Sequence, residues 1–559
     1  MGHGKADACA SSRLNEARRY QMKKLLLIAG MCFLSAGVLF AGGAAEAPSP
    51  EVNRITIALS PTAGETHRFW TAHNWEMVNP AMESLVGHHP ETGEFTNSQL
   101  AESWTHSADM TEWTFTLRQG VEFHHGWGEV TADDVVHSYE LQTGDDSAVP
   151  GVELLRGAEV TALDRYTVRF SYEEPRQDFL FLHGGRAVML IYSKAQYDEE
   201  GLSGYDEQLV GTGHYQFVER SPGEILFERV EDHYSGDVAH FEEYKIVYVN
   251  EASTRLAMLR RGEAQIAEVP RELHPEVLAA GLELISSTGP SMQTNIALNG
   301  LYMSTVDGER DPAYNPEIPW TDVRIREAMN RALNREEMVD VLFDGRAELV
   351  TAYGMGPGHL GDHPELHARF DDWYGFDPDR ARELLEEAGY PDAFGSPVIP
   401  LVMMPLSGQP EVPVQMQLVQ GYFDDVGFQT EIIEYDTARV GEMGRAREAY
   451  LVHPMRNAPI RPTQSALNAF YNRPGGPYQG YETDRSIGYF HDLRAALDPN
   501  ERQRIAREAF TYLFEEYSSI PLFEVPTIMA VDPNVVEGWT FPGRTNAGYS
   551  HYHLIRAAR

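Results

Sequence analysis

The chain has 559 residues, 42% hydrophobic and 11% aromatic, enough for two or more cores and unlike a disordered chain. Its 84 acidic residues outnumber 45 basic ones, and the formal charge of -39 excludes charge-driven binding to nucleic acid or to an anionic membrane face. An anionic ligand must be met by a few well-placed arginines, since beyond residue 24 lysine occurs only as Lys194 and Lys245.

From Met22, read as the true start, "MKKLLLIAGMCFLSAGVLFAGGAAEA" places two lysines before the apolar stretch Leu25–Phe40 and ends in small residues. This is the pattern of a secretory signal peptide, so the body is expected in the periplasm or another extracytoplasmic space. The apolar stretch is short for a permanent span. Cleavage after Gly43 or Ala47 leaves, beyond residue 47, 39 bases against 81 acids, about -42. Cys9 and Cys32 leave with the segment, so no disulfide, thiolate metal site or cysteine nucleophile is expected. Lipid attachment at Cys32 is the alternative, disfavoured by the bulky Met31 before it.

After a linker with Pro48 and Pro50, "NRITIALS" (53–60) alternates apolar residues and predicts a strand. "EWTFTLRQGVEF" (112–123) reads as an alternating strand pair, and "DRYTVRFSY" (164–172) repeats the pattern. Helical periodicity marks "EASTRLAMLRRGEA" (251–264), "TDVRIREAMNRALNREEMVDVLFDG" (321–345), "DPDRARELLEEAGY" (377–390) and "PNERQRIAREAFTYLFEEY" (499–517). Strands and helices interleave throughout, which predicts an α/β protein with more than one lobe.

"VEFHHGWGEVTADDVVHSYE" (121–140) gathers His124, His125, Glu129, Asp133, Asp134 and His137. Thr131 and Asp134 have capping-box spacing, with Thr131 expected to accept an amide hydrogen bond while the two acids favour the positive helix end. Adjacent histidines in an extended segment point to opposite faces and cannot chelate one ion together. The stretch is therefore read as cap and turn, and no metal site or cofactor is expected from the sequence.

With its lead-in from Leu100, the same stretch resembles the signature region of family 5 extracytoplasmic solute-binding proteins, the peptide and nickel receptors of ABC importers. "LVGTGHYQF" (209–217) is similar to the family's Val-Gly-Thr-Gly-Pro-Tyr turn, with His214 in place of proline. "STRLAMLRRGEAQIAEVP", "PWTDVRIREAMNRALNREEMVDVLFDG", "FDPDRARELLEEAGYPD" and "SSIPLFEVPTIMAV" resemble later landmarks in the right order. The resemblance implies a type II, cluster C-like clam-shell with a discontinuous first lobe. Lobe I would be residues 51–292 and 524–559, and lobe II 293–523. The crossings would lie near "MQTNIALN" (292–299) and "IPLFEVPT" (520–527). A monomeric receptor of this kind closes over a small-molecule or peptide ligand and delivers it, unchanged, to a membrane permease.

In the dipeptide receptors of the family, an arginine after a Met-Pro strand end meets the ligand carboxylate and an aspartate meets its amino group. Here the matching stretches read "MMPLSGQPEVPV" and "NAPIRPTQSALNAF", with Gly408 or Gln409 at the arginine position and Arg461 at the aspartate position. A guanidinium in place of an anion repels an ammonium, so an ordinary dipeptide is disfavoured and an anionic solute favoured. Arg461, Arg456 and Arg186 are placed at or near the cleft, since "HGGRAVMLIYSK" (183–194) resembles the region from which the family's nickel-chelate receptors present an arginine, and guanidinium groups bind carboxylate or phosphate bidentately. The plainer reading pairs each with an acid of the body. Trp70, Trp75 and Trp127 are candidate pocket walls, with Asn74 between the first two, although a tryptophan is ordinarily core. Gln409 and His453 complete the candidate set with hydrogen-bonding groups.

Three other readings remain. An unusual oligopeptide and a nickel chelate both suit the family. A secreted hydrolase is the remaining class, but no Gly-x-Ser-x-Gly, His-Glu-x-x-His or phosphate-cradling loop occurs. An acidic surface of this density repels itself and is relieved by salt, which points to a salt-rich habitat. The thermal unfolding midpoint should rise from dilute buffer to molar salt; an equal or higher midpoint in dilute buffer would contradict that reading.

Overall fold

The computed structural model describes residues 54–559, apart from 62–65, 73–74, 146, 148–151, 185–188, 307, 353, 355–358, 405, 407–408, 410, 458–460, 472–479 and 544–549. The described residues belong to one compact unit, Val52–Arg559. The signal-peptide segment and both cysteines lie outside the described residues.

The strand expected from "NRITIALS" runs Arg54–Leu59 within a seven-stranded mixed sheet. Ile55, Ile57 and Leu59 enter one core and Ala58 another, as the two-residue period of a strand buried on both faces requires. Glu243–Tyr248 and Ile266–Ala267 flank it in parallel. The remaining strands are Tyr215–Ser221, Glu224–Arg229, Glu283–Ser286 and Ile528–Val531. A second, six-stranded sheet has the order Glu348–Leu349, Ile520–Val525, Met292–Leu298, Val452–Asn457, Ile399–Met403, Thr430–Glu434. Helix Val412–Val426 joins two of its parallel strands, a β-α-β crossover, and helices from 323 to 517 pack on it to form the largest core.

A four-stranded antiparallel sheet, 101–117 with 159–171, carries helix Ala132–Thr143 and its own core around Phe115, Phe170 and Phe179. Here "EWTFTLRQGVEF" gives one strand, Glu112–Leu117, not two. Gly120, at φ 74°, turns the chain out of the ladder, leaving only an isolated bridge between Glu122 and Glu129. The long periodic segment 321–345 also divides, into Val323–Arg331 and Arg335–Phe343, because Asn334 caps the second helix through the amide of Glu337 at 3.2 Å.

The chain leaves the seven-stranded sheet after Ser286, enters the six-stranded sheet at Met292, and returns between Val525 and Ile528. The two passages are hydrogen-bonded to each other. Ser287 N donates to Thr527 O at 2.9 Å, Ser291 N to Val525 O at 2.9 Å, and the Ser291 and Thr527 hydroxyls lie 2.6 Å apart. Among the described residues no helix is long and apolar enough to cross a membrane.

Burial holds His67, His274 and His453 down to about 4, and His124 and His183 to about 3. The unfolded chain binds these protons near pH 6.5, so the stability from neutral burial is present above 6.5 and is lost as pH falls toward 4. Glu83 and Glu411, both pushed up to about 7 by burial, favour the folded state in the opposite sense between about 4.5 and 7. Five such histidines against two carboxyls leave a net loss on acidification. Urea unfolding should give a smaller free energy at pH 5 than at pH 6.5; an increase would be incompatible with these rings being buried neutral.

Candidate functional site

In the stretch 121–140, His124, Glu129, Asp134 and His137 each make a structural contact. Thr131 and Asp134 form the expected capping box, and the Asp134 carboxylate also accepts the Thr131 hydroxyl at 2.8 Å and the Lys194 amide at 2.8 Å. His124 and His125 form a tight turn with His125 at φ 61°, correcting the extended segment expected there. His124 Nε2 lies 2.9 Å from Gly213 O, and His137 Nε2 lies 3.0 Å from the Tyr205 hydroxyl. Glu129 takes the Gly120 amide, the Arg165 guanidinium and the Tyr166 hydroxyl.

The candidate site residues fall in several places. Trp70 is 4% exposed, in the core of the seven-stranded sheet, edge-on to Tyr192 at 4.9 Å and Tyr205 at 6.0 Å. Trp127 is half-buried against the core of the four-stranded sheet, its indole 3.3 Å from Gln208 Oε1. Asn74, Arg186 and Gly408 lie outside the described residues, as does the side chain of Trp75. Gln409 is buried in a turn whose amide donates to Leu406 O at 2.9 Å.

His453, Arg456 and Arg461 belong to one stretch, the strand Val452–Asn457 and the lead into helix Thr463–Tyr471. The strand pairs with Met292–Leu298, placing Gln293, Asn295, His453 and Asn457 on one face by the two-residue period. Arg456 is half-buried with its guanidinium 4.0 Å from Met292 Sδ. Arg461 is buried, and its Nε donates to Asn457 Oδ1 at 2.5 Å. The same guanidinium sits 5.5 Å from the ring centroid of Phe181, which belongs to the core of the seven-stranded sheet. Arg461 therefore touches both halves of the fold, in cation-π geometry.

On that strand face and on the helix that follows Arg461, buried polar atoms have no partner among the described residues: Asn295 Oδ1, His453 Nε2, Asn457 Nδ2, Ser465 Oγ and both amide atoms of Gln464. Because His453 Nδ1 lies 3.1 Å from Pro454 O and donates to it, Nε2 is left as an acceptor. Groups of this kind are rare in folded interiors unless a ligand or water meets them. Asn295, Asn457, Gln464 and Ser465 escaped sequence reasoning. The available signal was the run of amide and hydroxyl side chains in "TQSALN" (463–468), too polar for an ordinary core helix.

A second contact between the halves is the ion pair Arg271–Glu411, 3.1 Å apart, with side chains only 8% and 10% exposed. Arg271 also donates to Pro526 O, at the return passage, at 2.9 Å. Gln177 donates to Ala496 O at 2.8 Å, and Arg494 pairs with Glu174.

Residues 96–477 match the family described as bacterial extracellular solute-binding proteins, family 5 (middle), and the chain belongs to that family. Among curated relatives, the glutathione-binding protein GsiB of Salmonella typhi is 27% identical over 465 residues, 79% of this chain and 83% of that protein. The heme-binding protein A of Haemophilus influenzae is 27% identical over 378 residues, 63% of this chain and 64% of that protein. The fold is that of the periplasmic binding protein DppA from Helicobacter pylori, solved with the peptide STSA, at a TM-score of 0.74 and 20% identity over 90% of this chain and 98% of that one. AgaA of A. tumefaciens, solved with agropinic acid, superposes at 0.71 with 18% identity over 90% of this chain and 99% of that one. The architecture is accordingly the two-lobed α/β clam-shell, and the family's members are binding proteins.

Replacing Arg271 by Met would strand the buried Glu411 charge, at a cost of about 3 kcal/mol or more when Glu411 is ionised. Since burial already pushes Glu411 up to about 7, the carboxyl is protonated below that pH and the cost should shrink. Urea unfolding of Arg271→Met against the parent should show a larger loss at pH 8 than at pH 6; equal losses would mean the pair carries no charge effect.

Proposed function

From this membership, we infer that the protein is an exported, monomeric receptor that takes a small anionic solute into the cleft between its lobes. It presents the closed complex to the permease of an ABC importer, and the solute leaves chemically unaltered. The lobe division proposed is 51–292 with 524–559 against 293–523. Sheet membership supports it to within two residues, since the seven-stranded sheet draws on 54–286 and 528–531 and the six-stranded sheet on 292–525, which takes in Met292, Glu524 and Val525.

The observation that carries the anionic ligand is Arg461, a buried guanidinium beside Asn457 and over Phe181 of the opposite half, within a patch of unpartnered amide, hydroxyl and imidazole atoms. A carboxylate accepts two parallel hydrogen bonds from such a fork, while the amide groups suit the peptide-like remainder of a ligand. A surface charge of -39 repels an anionic solute at long range, so the attraction must come from this local, desolvated cation. Small peptide-derived or opine-type acids fit best. Relatives named for glutathione and a solved relative holding agropinic acid support that class. A metal chelate is the second reading, favoured by the solved relative NikA from Staphylococcus aureus, in complex with Ni(L-His)2.

Calorimetric titration with glutathione, opine acids, neutral dipeptides and nickel-histidine should give saturable 1:1 binding to an acid. Arg461→Ala should weaken it on the order of a hundredfold, as truncating one side of a desolvated charge pair does. Undiminished affinity in Arg461→Ala would remove the arginine from the site, and turnover of the bound compound would remove the receptor reading altogether.

A further inference from the structure

Away from Arg461, in the half built on the seven-stranded and four-stranded sheets, a cavity of about 330 Å³ is walled by Glu83, His88, His89, His214, His551 and His553. These residues come from three distant parts of the chain. What brings His214 there is the turn before it: a Cβ on Gly211 would lie 2.0 Å from Ala81 O and one on Gly213 2.7 Å from Pro80 O, so only glycine lets this turn press against the segment carrying Glu83. Gly213 N then donates to Ala81 O at 2.9 Å, fixing the approach.

Three imidazoles form a column. His214 stacks on His233 at 3.8 Å between centroids and on His553 at 3.6 Å, with interplanar angles of 20° and 3°. A carboxylate oxygen of Glu83 and one nitrogen each of His214 and His233 lie within 4.8 Å of one another. Two ligands on one tetrahedral ion, with bonds of about 2.1 Å, stand roughly 3.4 Å apart. About an ångström of side-chain rotation closes the difference, and His214 borders open cavity in which to make it.

We propose that Glu83, His214 and His233 bind one divalent transition-metal ion of the zinc or nickel kind, at a site separate from the solute cleft. The surrounding groups suit the task. Thr212 Oγ1 and the Tyr234 hydroxyl donate to Glu83 at 2.8 and 2.9 Å, orienting the carboxylate. Ser235 Oγ lies 2.8 Å from His233 Nδ1, which also accepts the Ser235 amide at 3.3 Å, and His233 Nε2 lies 3.9 Å from Glu83 Oε1. Ligation through Nε2 moves its proton to Nδ1, where the Ser235 hydroxyl accepts it, and gives up the contacts with Thr212 O at 3.0 Å and with the Ser235 amide. Imidazole and carboxylate without thiolate select borderline ions such as Zn²⁺ and Ni²⁺ over Mg²⁺ or Ca²⁺.

The test uses the exported full-length protein, stripped with chelator and titrated with zinc chloride or nickel chloride alone. One equivalent should bind and raise the thermal midpoint, as any ligand of the folded state does. His214→Gln and Glu83→Gln should each lower metal affinity about tenfold to a hundredfold, whereas Arg461→Ala should leave it unchanged, separating this site from a metal chelate in the cleft. X-ray absorption on the zinc-loaded parent, which needs no variant to fold, should show at least two imidazole ligands. A first shell of oxygen alone, unchanged affinity in His214→Gln, or loss of metal binding in Arg461→Ala would overturn the proposal.

Discussion

The rest of the structure depends on two short passages bound side by side, 287–291 and 526–527. Ladder hydrogen bonds from Ser287 to Thr527 and from Ser291 to Val525 continue the strand pairing through the change of sheet. The hydroxyls of Ser291 and Thr527, 2.6 Å apart, and the Ser287 hydroxyl on the Thr527 amide at 3.1 Å add a side-chain layer. Such a pair resists sliding, which would break every bond at once, yet tolerates bending and twisting. In the proposed receptor, lobe motion is thereby restricted to a hinge. Each half keeps its own core whatever the angle between them, so closure exchanges only the interlobe contacts and is open to control by a ligand of modest differential affinity.

Arginine use follows from the acid surface. Many of the ion pairs are exposed neighbours on one helix, as in Arg380–Glu383 and Arg504–Glu508, and contribute little each. The deeply buried arginines do something else. Arg335 donates to the carbonyls of Asn330, Tyr374 and Pro521, and Arg255 to those of Val249, Asn250 and Glu268, joining loops whose oxygens would otherwise be buried without a donor. A planar fork of five donors suits this work better than a lysine ammonium. A buried arginine is thus no sign of a site by itself. Arg461 is set apart by position, its guanidinium bonded to Asn457 and lying over Phe181 of the other half.

Local chemistry was the legible part of the sequence. The strand at 54–59 followed from alternation, and the helices beginning at 378 and 499 followed from Asp377 and Asp498, each of which accepts hydrogen bonds from the amides of the following turn. Ordered motifs carried the family, and with it the fold. What sequence could not supply was convergence. Trp70 after a first strand suits pocket or core equally, and only Tyr192 and Tyr205, more than a hundred positions away, decide that its ring is enclosed. The Thr131–Asp134 capping box was legible, but not the Lys194 amide from another segment that Asp134 also accepts. His88, His214, His233 and His553 gave no spacing signal, because their approach is made by a turn pressed onto residues 80–81.

The two proposed sites differ in what binding at each does to the hinge. A solute at Arg461 lies between the Val452–Asn457 stretch and Phe181 of the opposite half, so its contacts are complete only when the halves meet, and binding shifts the equilibrium toward closure. An ion held by Glu83, His214 and His233 would touch residues of one half only, and would stabilise open and closed forms alike. A ligand with equal affinity for both states moves no conformational equilibrium however tightly it binds. Metal occupancy at the proposed site would therefore add to the stability of one half without signalling to the permease. In this proposal arginine serves the transported anion and histidine serves the fold, two chemistries that one acidic chain can carry.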